Sequence, residues 1–361
     1  MRTENKNGIT ISYPDEIGFA FMPCVVKAKG EGITALETVI NGTDKIFTYC
    51  IDAFDGYAIL DYREYIQALF SGYLGAKVDY SINSAKNPLL QAVSVSVSVY
   101  DAQGGKLADL EYTTNYVWGA IQTGETWNGY KRLTWFRNYP FSFGLFVDSA
   151  TSLLIDGKKY DMVSSGIWDI TSKTFGNRPV HTVNSFNGEI KQATFDLTFD
   201  LTFYLGSDLN QKRVFVIDTD DSDEGIFLRW IDRHGFYRYW LFVTGEESRA
   251  VTSSGEFMRN NLEEWDDELF SYLGSNGRRQ GYGRTDTIPI CATLVDSETF
   301  DFLQDLTTSP VVDMYLGGDW LQGQDKWQSV TVKAGTYTKS REILQDFIAN
   351  IILPEHKIQS L

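Results

Sequence analysis

The chain is poor in thiols: its 361 residues include only 3 cysteines. Cys24, Cys50 and Cys291 are odd in number and lack the spacing of a metal or redox motif. The sequence therefore predicts three reduced, buried thiols, with a disulfide between Cys24 and Cys50 as the alternative.

Histidines are equally scarce, and His181, His234 and His356 have no partner two or four residues away. This spacing predicts no zinc site. Nucleophile elbows, phosphate-binding loops and dinucleotide fingerprints are also missing, so we expect a non-enzymatic protein without a cofactor. A glycan-degrading enzyme stays open as an alternative, because a catalytic carboxylate pair is recognised only by its separation in space.

Positive charge is in deficit, with 32 Lys and Arg against 48 Asp and Glu, a net charge of −16. Nucleic acids and anionic membrane surfaces bind basic footprints, so the charge predicts no nucleic-acid partner and disfavours an anionic membrane surface. No run reaches the roughly 18 apolar residues that a membrane helix needs. Residues 1–8 have no apolar core, which predicts no secretory signal and synthesis in the cytoplasm of the producing cell.

Alternation with a period of two residues is abundant, and aromatic side chains make up 14% of the chain. In residues 93–100 valines alternate with serines, and in residues 194–205 Phe and Leu alternate with Thr and Asp. Such patterns predict antiparallel strands with one wet face. The strand signals of the whole chain predict an all-β fold, mainly antiparallel β-sandwich domains. Shorter strands are predicted at residues 18–26, 45–51, 57–59, 77–80, 113–121, 141–147, 152–155, 213–217, 311–316 and 330–332.

A few short accessory helices complete the predicted fold, at residues 62–71, 262–273 and 297–306, the last one capped by Asp296 or Ser297. Turn-rich segments near residues 138–140 and 207–210 suggest three regions. These are an N-terminal β-rich domain (1–139), a middle β segment continuous with either neighbour (140–207), and a C-terminal β domain (208–361).

The most distinctive segment, residues 225–243, contains two aromatic-rich runs around Asp232-Arg-His-Gly235. It predicts a β-hairpin whose turn has glycine at a position of positive φ. Neither face of the hairpin is polar enough for solvent, so a second sheet, domain or subunit has to cover it. The residues predicted to form an interface between subunits are Phe227, Arg229, Trp230, Tyr237, Arg238, Tyr239 and Trp240. For the two arginines, stacking on a neighbouring ring at a sheet edge is an equal alternative.

Two further clusters suggest ligands. Residues 218–224 contain five carboxylates in an oxygen-rich loop, which either binds calcium or is a solvated turn. Trp118, Trp127, Trp135 and Phe136 would form a sugar-stacking platform if they were exposed, or part of a core if they were not. The platform would make the chain a β-sandwich protein that binds carbohydrate or a host receptor, with a host surface glycan as partner.

Residues 225–242 resemble the "LRW(L/I)…G…YWLF" hairpin of structural proteins from phages and prophages of gut anaerobes. Residues 308–318, the "W-x-x-V" strand that begins at Trp327 and the "L-x-D-F" segment at Leu344–Phe347 fit the same proteins. The resemblance covers residues 225–361. It implies a tail or baseplate component of a virion, similar to distal tail proteins, which form rings and have no catalytic residues. The expected partners are copies of the same chain and other tail proteins.

Overall fold

The computed structural model describes residues 1–72, 78–121, 132–147, 151–155, 158–162, 166–175, 197–202, 212–257, 264–269, 271–273 and 278–355. Over these residues the protein is mostly β-strand, in largely antiparallel sheets with short helices, so the predicted all-β class is confirmed. No helix in these ranges is long and apolar enough to cross a membrane.

The chain is divided into two compact units. Unit 1 comprises Met1–Asp223, Arg229–Trp240 and Gly317–Lys326, and unit 2 comprises Glu224–Leu228, Leu241–Leu316 and Trp327–Leu361. The chain thus enters unit 1 three times, and the aromatic hairpin is divided between the units. The division of the chain into three regions, which the turn-rich segments predict, stays a prediction.

Unit 1 contains a five-stranded sheet, a four-stranded sheet, two three-stranded sheets and one two-stranded sheet. Its strands are β1 (Arg2–Lys6), β2 (Ile9–Tyr13), β3 (Ile17–Phe19), β4 (Val25–Lys29), β5 (Ala35–Asn41), β6 (Ile46–Asp52), β7 (Tyr57–Asp61), β8 (Ser84–Asn87), β9 (Leu90–Tyr100), β10 (Lys106–Val117), β11 (Arg132–Phe136), β12 (Ser142–Val147), β13 (Thr151–Ile155), β14 (Lys158–Met162), β15 (Gly166–Thr171), β16 (Leu197–Thr202) and β17 (Lys212–Asp220). The sheet orders are β1-β2-β4-β7, β3-β10-β9-β5-β6, β11-β17-β16, β12-β15-β8 and β13-β14.

Alternation in β9 fixes the buried face of the five-stranded sheet. Val93, Val95, Val97 and Val99 are buried, whereas the serines between them are half-buried, as the sequence predicts. The first helix, α1 (Arg63–Leu69), begins after Tyr62, whose hydroxyl lies 2.7 Å from that of Tyr116. Helix α2 (Ser172–Phe175) follows β15.

Unit 2 is built on one large sheet. Its strands, with the hairpin strands counted here, are β18 (Ile226–Ile231), β19 (Tyr237–Thr244), β20 (Ser248–Phe257), β21 (Glu264–Asp266), β22 (Ser271–Leu273), β23 (Arg278–Val295), β24 (Val312–Gly317), β25 (Lys326–Ser329), β26 (Thr331–Val332) and β27 (Gln345–Ile352). The order is β25-β24-β18-β19-β23-β27-β26, and β20 pairs with β23. Helix α3 (Ser297–Thr308) packs Phe300 edge-on against Phe347 of β27, and a 3-10 turn follows at Trp320–Gln322.

Several predicted elements have the expected place. Asp296 caps α3 by accepting a hydrogen bond from the Thr299 amide at 2.8 Å, as predicted. The predicted strand at 18–26 is two strands, β3 and β4, and residues 78–80 of the predicted strand 77–80 do not form a strand. Only residues 197–202 of the long Phe/Leu alternation are described, and they form β16.

The helix predicted at 262–273 is wrong, because β21 and β22 form a hairpin there. Trp265 and Tyr272 are seven residues apart, a spacing that puts them on one face of a helix. The same spacing makes them direct cross-strand partners around the tight turn of the hairpin.

The expectation for the cysteines is confirmed in part. Cys24, Cys50 and Cys291 are all free, so the alternative disulfide is not formed. Cys24 is buried, but Cys291 is half-buried and Cys50 is exposed, because Cys50 lies on the open edge strand β6.

Candidate functional site: hairpin and open sheet edges

The turn of the aromatic hairpin is built around Asp232. Its carboxylate accepts hydrogen bonds from the amides of His234 and Phe236, both at 2.9 Å. Gly235 adopts φ +81°, and a Cβ there would lie 2.6 Å from Cγ1 of Val117. The predicted turn with positive φ at glycine is confirmed, and its close packing leaves no room for a side chain.

Two buried arginines lie in the same half of the hairpin. Arg238 donates from Nε to Asp232 Oδ2 at 2.6 Å, and both side chains are at most 4% exposed. Arg229 donates to the hydroxyl of Tyr80 at 3.0 Å, and its guanidinium lies 5.3 Å from the ring centre of Tyr237. Burying an unpaired charge is very costly. The ion pair compensates this cost for Arg238, and the hydrogen bond and ring contact reduce it for Arg229.

A buried carboxyl group belongs to the same cluster. Asp169 on β15 accepts a hydrogen bond from Asn87 Nδ2 at 2.8 Å. Burial raises the pKa of Asp169 to about 7, although the hydrogen bond from Asn87 and the charges of Arg229 and Arg238 act in the opposite direction. Oδ1 of Asp169 has no hydrogen-bond partner among the described residues.

Tyrosine hydroxyls extend this cluster. The Tyr239 hydroxyl lies 2.7 Å from Ser142 Oγ and 3.0 Å from the Tyr80 hydroxyl. Burial raises the pKa of both tyrosines, so they stay neutral hydrogen-bonding groups. The cluster links the hairpin to β12 and β15 of unit 1, and its contacts are those of a structural network.

The residues predicted to form a subunit interface are therefore occupied within the chain. Their exposed fractions are at most 4% in all but one case: Phe227, Arg229, Trp230, Tyr237, Arg238 and Tyr239 are buried, and Trp240 is half-buried against the edge of Phe136. The cover that the sequence requires for both faces comes from this chain itself. That these residues bind a neighbouring copy stays a prediction, and such a copy would have to displace intrachain contacts.

Among the described strands, β6 is the last strand of the five-stranded sheet, and no described strand pairs with its outer edge. The Gly42 amide donates to the Lys45 carbonyl and the Ala53 amide to the Thr34 carbonyl, so odd-numbered residues of β6 direct their backbone groups toward β5. Even-numbered residues, Ile46 to Asp52, therefore direct theirs away from the sheet. Ile46 is 70% exposed and Tyr49 is 41% exposed, so the edge combines unpaired backbone with apolar side chains.

A second open edge lies on the ribbon that β20 forms with the first half of β23. Residues 248–257 pair with 278–287, and β20 pairs with no other described strand. Ser248 to Ser253 are all exposed, with Val251 at 65%, and the facing Tyr282 is 47% exposed. Two-stranded ribbons are marginally stable in water by themselves, which makes this segment suited to pairing with further strands.

One open pocket next to β6 has a volume of about 210 Å³ and is lined by Thr43, Asp44, Lys45, Leu69, Ser71, Gly72 and Gln91. This is smaller than the pockets that hold most small-molecule ligands, which span roughly 300–1,000 Å³. The Lys45 ammonium already donates to the Ala68 carbonyl at 2.8 Å. The pocket therefore offers little to an incoming ligand.

The other predicted ligand sites are only partly formed by described residues. In the acidic segment the Asp220 carboxylate accepts a hydrogen bond from the Ser222 amide at 2.8 Å, as in a solvated turn. No group of three or more His, Cys, Asp or Glu within the described ranges is arranged to hold a metal ion. His234 is buried in the hairpin turn, and His181 and His356 lie outside the described residues.

The predicted sugar-stacking platform is not exposed where it is described. Trp118, Trp135 and Phe136 are buried, and Trp127 lies outside the described residues. Sequence periodicity could not separate the two interpretations, because core and platform use the same large aromatic residues. The open edges of β6 and β20 were missed for a similar reason, since the order of strands in a sheet depends on long-range pairing.

Comparisons with known proteins add no family. No family model and no curated protein matches the chain. A protein of unknown function from Porphyromonas gingivalis W83 is 9% identical over 59% of this chain and 99% of its own, with a TM-score of 0.17. A 1.5-MDa bacterial ice-binding adhesin, in a structure concerning host cell surface retention, is 11% identical over 90% and 97%, with a TM-score of 0.19. Dimeric latent PorU from Porphyromonas gingivalis is 9% identical over 76% and 31%, with a TM-score of 0.18.

Proposed function

We propose that this chain is a non-enzymatic structural protein that assembles with copies of itself through open sheet edges. The edge of β6 carries the proposal, because exposed Ile46 and Tyr49 accompany backbone groups that point away from the sheet. Natural proteins usually protect such edges with charges, prolines or bulges. Between Ile46 and Ile51 the strand has no charged residue and no proline.

The resemblance of residues 225–361 to phage structural proteins supports a specific setting for this assembly. In that setting the chain is a tail or baseplate component of a virion, and its copies form a closed ring that also binds other tail proteins. The aromatic excess of the sequence also fits an assembling protein, since aromatic residues are enriched at interfaces. The described tryptophans of the predicted sugar platform are buried, so these residues do not favour the carbohydrate-binding alternative.

Light scattering on the purified 361-residue chain, with negative-stain images of the same fraction, tests the proposal. We expect the mass to rise with protein concentration toward a fixed multiple of the chain mass, with rings of one copy number in the images. A monomer at every concentration would contradict self-assembly. A glycan array on that monomer would then test the carbohydrate-binding alternative.

A further inference from the structure

We propose that assembly is head-to-tail, with the β6 edge of one copy pairing antiparallel with the β20 edge of the next copy. This inference rests on the proposed function and names its two surfaces. Both edges are open among the described residues, and each ends a sheet or ribbon.

The direction of the backbone groups defines which residues of β20 are available. The Leu353 amide donates to the Asp286 carbonyl, so even-numbered residues in this part of β23 direct their backbone groups toward the β27 side. Odd-numbered residues of β23 therefore bond to even-numbered residues of β20, since paired positions sum to an odd number. In β20 the outward-facing residues are thus Arg249, Val251, Ser253 and Gly255.

Charge then selects the register of the two edges. With Asp52 opposite Arg249 of the next copy, Cys50 lies opposite Val251 and Thr48 opposite Ser253. Opposite charges therefore meet at this end of the paired segment. Arg249 is available for this exchange because its side chain is 60% exposed in a long 3.4 Å pair with Glu247.

Pairing of each edge with its own copy is less favourable. When two copies of one strand pair antiparallel about a two-fold axis, residues opposite each other lie on the same face of the sheet. Because faces alternate along the strand, two such residues are either both odd-numbered or both even-numbered. For β6 this allows the register with Asp44 opposite Asp52, or registers that match no opposite charges. For β20 the register that matches opposite charges, Arg249 opposite Glu247, overlaps within the strand at Ser248 alone. Like charges in direct opposition are destabilising, and neither self-pair matches opposite charges along a full strand, so the Asp52–Arg249 match favours the mixed pair and a head-to-tail contact. A head-to-tail contact generates rings when its rotation closes.

Two proline substitutions test the direction of assembly. Thr48→Pro removes an outward amide of β6, and Ser253→Pro removes one of β20, and neither amide bonds within the chain's own ladder. Thr48→Ala and Ser253→Ala, which keep the amide, are the matched controls. Circular dichroism and thermal unfolding confirm that each variant is folded.

Analytical ultracentrifugation is the measurement. We expect each proline variant to be a monomer by itself, and an equal mixture of the two to form a heterodimer and nothing larger. The heterodimer forms because one intact β6 edge and one intact β20 edge remain in the mixture. Two results would overturn the head-to-tail pairing but leave the proposal of self-assembly standing. One is that either proline variant associates by itself. The other is that the mixture does not associate although the unsubstituted chain does. A monomeric unsubstituted chain would overturn the proposed function itself.

Charge exchange tests the register independently. We expect Arg249→Asp or Asp52→Arg to weaken association by up to about tenfold, since each puts like charges opposite. The double variant should recover association, because the pair is then reversed. If the double variant instead loses as much association free energy as the two single variants together, this register is excluded. Arg63→Asp, at a half-buried residue of α1 outside both edge strands, is the control and should leave association unchanged.

Discussion

The turn half of the aromatic hairpin (Arg229–Trp240) and the β20–β23 ribbon are both pairs of antiparallel strands, and they differ in burial. The hairpin half carries large rings and two arginines, and most of its side chains are buried within unit 1. The ribbon carries mainly small and polar residues, and most of its described side chains are exposed. The aromatic content of the strands, rather than the strand pattern, therefore separates the buried strand pair from the exposed one.

The largest expected effect is at Asp232 in the hairpin turn. Asp232→Ala removes the partner of buried Arg238 and the acceptor of two backbone amides. We expect a loss of about 3–5 kcal/mol in the free energy of unfolding, because an uncompensated charge stays buried. Urea denaturation measures it. The control is Glu247→Ala, which breaks the exposed Arg249 pair of the ribbon and should cost less than about 1 kcal/mol. Equal losses at both positions would remove the distinction between the hairpin and the ribbon.

The next effect concerns pH and the buried Asp169. Its pKa is raised by burial to about 7, so between the unfolded value near 4 and pH 7 the folded state holds a proton that the unfolded state releases. The contribution of Asp169 to stability is thus largest at low pH, falls as the pH rises toward 7, and is constant above it. Asp169→Asn removes this dependence.

Urea denaturation of both proteins at several pH values measures the difference. We expect the stability of Asp169→Asn relative to the unsubstituted chain to rise by about 2 kcal/mol between pH 5 and pH 7. A difference that stays flat over this range would mean that Arg229 and Arg238 keep the carboxylate ionised. In that case the cluster beside the hairpin would contain two ion pairs rather than one.

The third test substitutes alanine at two glycines and separates the stability cost of backbone strain from that of close packing. Gly235 and Gly104 have φ of +81° and +77°, but of the two only Gly235 has neighbouring atoms within 4 Å of the place that a Cβ would take. Gly104→Ala should cost about 1 kcal/mol for the left-handed conformation. Gly235→Ala should cost about 1–3 kcal/mol more, because its Cβ would overlap Val117. Thermal unfolding compares the two, and equal shifts would mean that the turn is not tightly packed.

Much of this architecture could be predicted from local sequence. The valine and serine alternation of β9, the cap of α3 by Asp296 and the turn at Asp232–Gly235 all depend on residues close in the chain. The helix predicted at residues 262–273 failed because a seven-residue spacing fits both a helix face and a pair across a tight hairpin. Local patterns also indicated that the hairpin needs cover, yet they could not indicate that Tyr80 and Ser142 contribute to it. Those contacts join residues 97 to 159 positions apart in sequence.

The smallest expected effect lies on the ribbon and completes the comparison. Val251 is 65% exposed, whereas Val99 in β9 is fully buried. Val99→Ala should lower the free energy of unfolding by about 1.5–3 kcal/mol, because it removes buried apolar volume. Val251→Ala should change it by less than about 0.5 kcal/mol in the monomer. Urea denaturation at low protein concentration keeps association out of the measurement. A large loss at Val251 under these conditions would show that the ribbon is covered by its own chain, and β20 would then no longer qualify as an open edge.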